Sequence, residues 1–404
     1  MIKSLLDTDF YILTMMQAIF HRYTNVNTKF EFKWRNWDKM HLNVSLDDFI
    51  GRLKQRLDAL CELRFNKSEI EFLKKVPFFR DDFIEYLRLF QLNRSYIHPY
   101  KRKDGDKEVL AIDIHGPLLN VIPFEVPVLA TISQLYTETN GEMNFNWQKA
   151  GRERLDEKLD YLDSNLHHDM PFMFADFGTR RRAHFEWHSE LLKTIINRRP
   201  CRMIGTSNVY FAMVYGIKYI GTMAHVWFQI HQQLGPRLVD SQKVALQAWA
   251  DEYRGELGIA LSDTLGFNAF LCDFDRYFAL LFDGCRHDSG DPIRWCEKLI
   301  DHYKKLRINP KTKTAVFSDG LTFQIAVDLY LRFQNHINTS YGIGTYLTND
   351  CGFTAPQIVI KNTLTNGRPT AKISDSPGKG MCIDEGYLGY LMKVIGEKIN
   401  GCYS

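Results

Sequence analysis

Between Phe282 and Pro292 the chain reads FDGCRHDSGDP, which crowds Arg286, His287, Asp288, Ser289 and Asp291 between glycines and ahead of a proline. A guanidinium can hold a carboxylate or phosphate through two parallel N–H bonds. An aspartate beside glycine can hold sugar hydroxyls or a magnesium ion, or can simply cap a helix. The same pairing recurs in SDG at 318–320, with Asp319. In DFGTRRR, Phe177 precedes Arg180, Arg181 and Arg182, so an aromatic face stands next to cations; a solvated basic turn is the plainer alternative. YGIGT at 341–345 offers Gly342, Gly344 and Thr345, whose backbone N–H groups and hydroxyl suit either a phosphate cradle or a tight turn. IGTMAH places Thr222 and His225 where a helix is predicted to start, and that histidine can be a proton carrier, a nucleophile or a structural residue. Lys372, in TAKISDSPGK, suits a Schiff base or an ordinary ion pair.

These clusters need a scaffold that gathers them. From about residue 170, short apolar runs end in small polar clusters and lead into helical patterns: PFMFADFGTR, RMIGTSN, KYIGTMAH, IALSDT, FDGCRHDSGD, TAVFSDG, SYGIGT and QIVIKN. Strand–helix units repeated in this way build a parallel sheet, and both an open sheet and a closed barrel place the loops after the strands on one face. Eight units favour an irregular (β/α) barrel over residues 151–404. Residues 1–150 mix types. Tyr11–Phe20 has helical periodicity, TKFEFKW at 28–34 and EVLAIDI at 108–114 read as strands, and VPVLATISQLY reads as a helix opened by Pro127. The fold class expected is therefore α/β, with a second α+β domain built mainly from the N-terminal segment and a C-terminal tail that packs back on it.

Bulk composition excludes several classes. The 404 residues carry a formal net charge of only +3, so nucleic acid is not indicated as a partner. The eight cysteines contain no CxxC pair, which argues against zinc and redox motifs and for reduced thiols in a cytoplasmic protein. Asp7 and Asp9 interrupt what would be a signal-peptide core, and no run of about eighteen apolar residues is expected, the nearest, 204–224, being broken by Ser207, Asn208 and Lys218, so no membrane is expected.

The order TDFY, DFGTRRR, GTSN, GTMAH, LSDT, RHDSGDP, FSDG, GIGT, AKISDSPGK resembles that of the nicotinate phosphoribosyltransferase family, bacterial type, from about residue 4 to 390. The resemblance implies a type II phosphoribosyltransferase fold, a homodimer with active sites at the interface, and the joining of nicotinate to phosphoribosyl pyrophosphate with ATP hydrolysis and magnesium. It implies that Phe177 and the neighbouring subunit's copy of Tyr11 sandwich the pyridine ring, that Arg286 lies over its substituent or the sugar, and that Arg180 takes the carboxylate or a phosphate. Asp288 and Asp319 match positions for the ribose and its magnesium, which protein ligands alone do not hold. Gly342, Gly344 and Thr345 match the phosphate loop, Thr222 a ligand contact, and His225 the histidine that accepts the ATP γ-phosphate. His184, His188 and His231 match no such position and are expected to be structural or solvent-facing. Ser207 stands where nicotinamide-using relatives carry an aspartate that would repel an acid, which favours nicotinate over nicotinamide. Quinolinate phosphoribosyltransferases are shorter and lack a counterpart of the GTMAH histidine. A non-catalytic phosphosugar-binding protein would be marked by loss of His225, Asp288 or the GIGT loop, and all are present.

Overall fold

The computed structural model describes residues 2–140, 146–198 and 202–403, so Cys201 lies outside the described residues. Its strands are β1 (Asn27–Trp34), β2 (Ile97–Asp104), β3 (Lys107–Pro117), β4 (Phe174–Asp176), β5 (Met203–Thr206), β6 (Ile259–Leu261), β7 (Gly284–His287), β8 (Thr314–Phe317), β9 (Asn338–Ile343), β10 (Ile358–Thr365) and β11 (Arg368–Pro369). The chain divides into two compact units, one of Met1–Asn25, Lys29–Ile220 and Ile343–Ile360, the other of Val26–Thr28, Gly221–Gly342 and Lys361–Ser404. The division differs from the boundary expected at residue 150, because β4, β5 and the DFGTRRR turn belong with the N-terminal elements.

In the first unit β2 and β3 form an antiparallel hairpin in register from Ile97↔Ile114 to Asp104↔Lys107. Beside this sheet the helix Glu125–Asn140 is buried along nearly its whole length. Together with the turn before it, this helix makes a stretch, Leu118–Asn140, long and apolar enough to cross a bilayer, yet it is buried nearly throughout inside the fold. A helix that is apolar all round suits a protein interior as well as a membrane. The N-terminal helix Phe10–Arg22 is buried from Phe10 to Ile19 and runs where helical periodicity predicts it. Strands β4 and β5 pair in parallel, and the Phe177 amide donates to the Ile343 carbonyl at 2.9 Å.

In the second unit β6, β7, β8 and β9 are parallel neighbours, in register through Ile259↔Gly284, Gly284↔Thr314 and Thr314↔Asn338. A helix follows β7, opened by Asp291, whose carboxylate accepts from the Ile293 and Arg294 amides, with Pro292 in the first turn. Six of the eight apolar runs thus form parallel strands. KYIGTMAH is not among these strands: Tyr219 forms an isolated bridge to Thr206. QIVIKN belongs to β10, which turns back as an antiparallel hairpin with Leu364↔Pro369. The cause is Asn366-Gly367, both at positive φ (49° and 75°), the two-residue turn whose twist matches antiparallel strands. The C-terminal helix Glu385–Tyr403 buries Leu391 and Ile395 in a niche with Leu265, Ala269 and Ala371 of its own unit.

The first unit is fastened by a buried ion pair. Arg182 donates to both carboxylate oxygens of Asp7, at 2.7 and 2.6 Å, and both side chains are fully buried. Asn208 Nδ2 adds a third hydrogen bond to Asp7 at 2.8 Å. A charge buried this completely is tolerated only while paired. Arg182→Met should therefore lower the unfolding free energy by about 3–5 kcal/mol, read from urea midpoints, because it leaves the buried Asp7 without a cation. Adding Asp7→Asn should recover most of that loss; a double variant no better than the single one would show that the pair is not what holds the segment.

Candidate active site

The predicted site residues fall into two groups, one in each unit. Tyr11, Phe177, Arg180, Ser207, Gly344 and Thr345 lie in the first; Thr222, His225, Arg286, Asp288, Asp319 and Gly342 lie in the second.

In the first group the three arginines of DFGTRRR have separate positions. Arg182 is the buried brace, Arg181 donates through Nε to the Ile358 carbonyl at 3.0 Å, and Arg180 remains 41% exposed. Arg180 faces two buried carboxylates at 3.7 Å (Asp9) and 3.8 Å (Glu125). Asp9 stands at the N-cap position of the helix Phe10–Arg22 but does not cap it; its carboxylate accepts from the Ser207 hydroxyl at 2.7 Å. Burial pushes the Asp9 carboxyl up, against the lowering influence of Arg180 and of hydrogen bonds from Ser207 and Thr179. Tyr11 begins the same helix and is 6% exposed. Gly178 lets Thr348 come so close that a Cβ there would lie 2.1 Å from its side chain, and a Cβ on Gly344 would meet the Phe177 carbonyl at 3.1 Å. Thr345 opens the short helix Thr345–Thr348.

The second group is built at the ends of β6 and β7. Asp263, two residues beyond β6, is 1% exposed and accepts from His225 Nε2 at 2.9 Å and from the Ser289 hydroxyl at 2.6 Å. Lys372 Nζ lies 2.9 Å from Asp263 and 3.8 Å from Asp288, whose carboxylate is 3.4 Å from His225 Nε2. Gly290 adopts φ 85° and donates its amide to Ser376 at 2.9 Å, so a left-handed residue is required where the loop bends. Ser289, Gly290 and Asp291 in the FDGCRHDSGDP stretch thus shape the turn, while Arg286 and Asp288 are presented by it. The Arg286 Nε is buried with no hydrogen-bond partner among the described residues. Asp319 is ion-paired with Lys379, and the Thr222 hydroxyl donates to the Ile259 carbonyl at 2.7 Å. Asp263, Lys379 and Asp9 were not singled out as site residues from the sequence. The signal for Asp263 was the strand-end position of LSDT; Asp9 lies two residues before Tyr11 in TDFY and Lys379 ends AKISDSPGK.

Burial and the Lys372 charge push the His225 ring down to about 4, Asp263 opposing and Lys361 reinforcing. Burial also works against the Asp263 and Asp288 carboxylates, but the surrounding His225 and Lys372 outweigh it; Asp263 falls well below its ordinary value and Asp288 to about 2. With the ring neutral at neutral pH, Lys372 is the lasting cation that keeps both carboxylates ionised. An ionised Asp263 can only accept, so Nε2 carries the ring proton and Nδ1 keeps its lone pair. One oxygen or nitrogen from each of His225, Asp263 and Asp288 lie within 4.8 Å of one another, the spacing of a metal cluster, but Lys372 already supplies the positive charge there.

Folding moves His225 from an ordinary 6.5 to about 4, so between those values the unfolded chain takes up a proton that the native chain refuses. Stability should accordingly fall as the pH drops from 6.5 toward 4, with Asp263 and Asp288 acting only at lower pH. His225→Gln should flatten that part of a plot of Tm against pH; an unchanged slope would mean that the buried ring is not neutral.

Comparison with known proteins completes the picture. Residues 172–397 match the model of the nicotinate phosphoribosyltransferase (NAPRTase) family, and residues 6–133 match that of its N-terminal domain. A nicotinate phosphoribosyltransferase of Xylella fastidiosa is 47% identical over 395 residues, covering 98% of each chain. One of Burkholderia mallei is 46% identical over 395 residues, covering 98% of this chain and 97% of the relative. Among solved structures, nicotinate phosphoribosyltransferase from Vibrio cholerae superposes with a TM-score of 0.92 at 36% identity, covering 98% of this chain and 94% of that one. The enzyme from Porphyromonas gingivalis superposes with a TM-score of 0.89 at 30% identity, covering 98% and 100%. The chain belongs to the nicotinate phosphoribosyltransferase family.

Proposed function

We propose that this chain joins nicotinate to phosphoribosyl pyrophosphate, releasing nicotinate mononucleotide and pyrophosphate, and couples that step to ATP hydrolysis through a phosphohistidine at His225. In this reading it acts as a cytoplasmic homodimer in which Tyr11 serves the neighbouring subunit's site. The observation that carries the coupling is the neutral His225 ring, held on Asp263 through Nε2 with Nδ1 left as a nucleophile. The Nδ1 lone pair attacks the γ-phosphorus, the bond to the ADP oxygen breaks with its electron pair, and the ring becomes a cation that the Asp263 carboxylate neutralises. Water later takes the phosphoryl group and returns the ring to neutrality.

The glycosyl transfer makes different demands. The pyridine nitrogen of nicotinate already has a free lone pair, so the attack on the anomeric carbon needs no general base. It needs positioning, and stabilisation of an oxocarbenium-like transition state. The orphaned Arg286 Nε suits an anionic or sugar ligand, and Arg180 is the accessible cation for the carboxylate. Asp288 and Asp319, each about a quarter exposed at 26% and 28%, are oxygen donors of the kind magnesium accepts alongside phosphates and water. Magnesium would neutralise charge on the leaving pyrophosphate.

One observation favours nicotinamide as a second reading. Ser207 gives its proton to Asp9, so the lone pairs left on its oxygen suit an amide N–H better than a carboxylate. Product formation from each base, with phosphoribosyl pyrophosphate and magnesium, with and without ATP, decides between them. We expect nicotinate mononucleotide, formed faster with ATP; a preference for nicotinamide would overturn the choice of base. His225→Ala should abolish the ATP stimulation while slow ATP-independent synthesis persists, and a folded but inactive variant would contradict the separation of the two roles. Ser207→Asp should raise the KM for nicotinate by about tenfold or more, by adding a like charge, with a smaller change for phosphoribosyl pyrophosphate.

A further inference from the structure

Asp176 is the last residue of β4, next to Phe177, and its side chain is fully buried. One carboxylate oxygen accepts from the Gly178 amide at 2.9 Å. The other accepts from the Thr206 hydroxyl at 2.6 Å and from His188 Nε2 at 2.7 Å. The Asp176 backbone carbonyl also accepts from the Ser207 amide at 2.8 Å. A single residue therefore fixes the backbone on the far side of Phe177 and the strand end that carries Ser207. Phe177 itself is tied on its near side by its amide bond to Ile343.

The network continues toward the N-terminal segment. Because Thr206 gives its proton to Asp176, its oxygen is free to accept the Asn208 amide at 3.0 Å, and the Asn208 side chain donates to Asp7 at 2.8 Å. His188 is 0% exposed and stacks edge-on against Phe211 at 4.8 Å, so its ring can turn only by displacing packed atoms. Its Nδ1 has no partner among the described residues, which leaves the bond to Asp176 as its one polar anchor. Burying an imidazole with half its hydrogen-bonding capacity unmet costs free energy, and an apolar side chain would fill the same space more cheaply. Burial opposes ionisation of Asp176, but His188, Thr206 and the Gly178 amide bring its carboxyl below the ordinary value, so it stays an acceptor toward all three donors.

We propose that Asp176, held by His188 and Thr206, is a positioning residue that sets the spacing between Phe177 and Ser207 and thereby governs affinity for the aromatic base. This rests on the reading of Phe177 and Ser207 as base-binding residues. Neither Asp176 nor His188 touches the base in this account. They act through the backbone of the two residues that do, and a displacement of a fraction of an ångström there is felt at the ring.

The test is steady-state kinetics of the full chain with both substrates varied, on Asp176→Asn, His188→Ala, His188→Gln and Thr206→Val. Gln places an amide N–H where His188 has Nε2–H, so it restores the donor without the ring. We expect Asp176→Asn and His188→Ala to raise the KM for nicotinate about tenfold or more while the KM for phosphoribosyl pyrophosphate changes by less than about twofold, and His188→Gln to recover most of the loss. Thr206→Val removes one donor at nearly constant volume and gives the same split in smaller measure if Asp176→Asn fails to fold. Equal changes in both KM values, or a Gln variant no better than the Ala variant, would overturn the proposal and leave the network as packing alone. If the unmodified chain makes no nucleotide from nicotinate, the functional reading fails first; if it does and the variants show no split, only the positioning role fails.

Discussion

Removing a carboxylate from water costs several kcal/mol unless cations or hydrogen-bond donors replace the solvent, and Asp7, Asp176 and Asp263 live under that constraint. Asp7 and Asp176 are fully buried and Asp263 is 1% exposed. Each recruits its own company: Arg182 and Asn208 for Asp7, His188, Thr206 and the Gly178 amide for Asp176, and Lys372, His225 and Ser289 for Asp263. Those partners come from separate stretches of sequence, so satisfying three charges also specifies how turns, strands and helices meet. Apolar packing alone would tolerate small slips between these elements. A bidentate guanidinium or a short hydrogen bond to a buried carboxylate does not.

The same chemistry explains which parts of the fold were legible in the sequence. Periodicity and strand-end glycines identify the helix Phe10–Arg22, the strands β6 to β9 and the loops after them, because local texture and tertiary placement agree there. KYIGTMAH and QIVIKN have the same texture and different fates. The first stays irregular, with a single bridge at Tyr219, and the second becomes one arm of an antiparallel hairpin. The information for the hairpin was present in Asn366-Gly367, a strong two-residue turn signal, but a reading in strand–helix units passed over it. In the apolar stretch Leu118–Asn140 the sequence reading places a helix only from Pro127 onward, whereas helical turns already run from Leu118.

The candidate site was legible as residue types and not as partnerships. Arg180, Arg181 and Arg182 are identical letters in a row, and only the position of Asp7, 175 residues away, turns Arg182 into a brace and leaves Arg180 accessible. His225 could be noticed from its place before a helix, but the neutrality of its ring follows from burial and from Lys372, on another segment, against the pull of Asp263. Long-range pairs of this kind carry no local signature. The resemblance in motif order supplied what spacing could not.

The sequence separation of the Asp7–Arg182 pair also bears on how the protein is made. Asp7 and Arg182 are 175 residues apart, and the first compact unit includes Ile343–Ile360 as well. At ribosomal rates of about 5–20 residues per second, Asp7 waits roughly 10–35 s for its guanidinium to be synthesised. During that interval Phe10 can already pack on Phe78 and Phe79, while the Asp7 carboxylate still lacks its cation. The first unit therefore cannot be completed in the order of its synthesis.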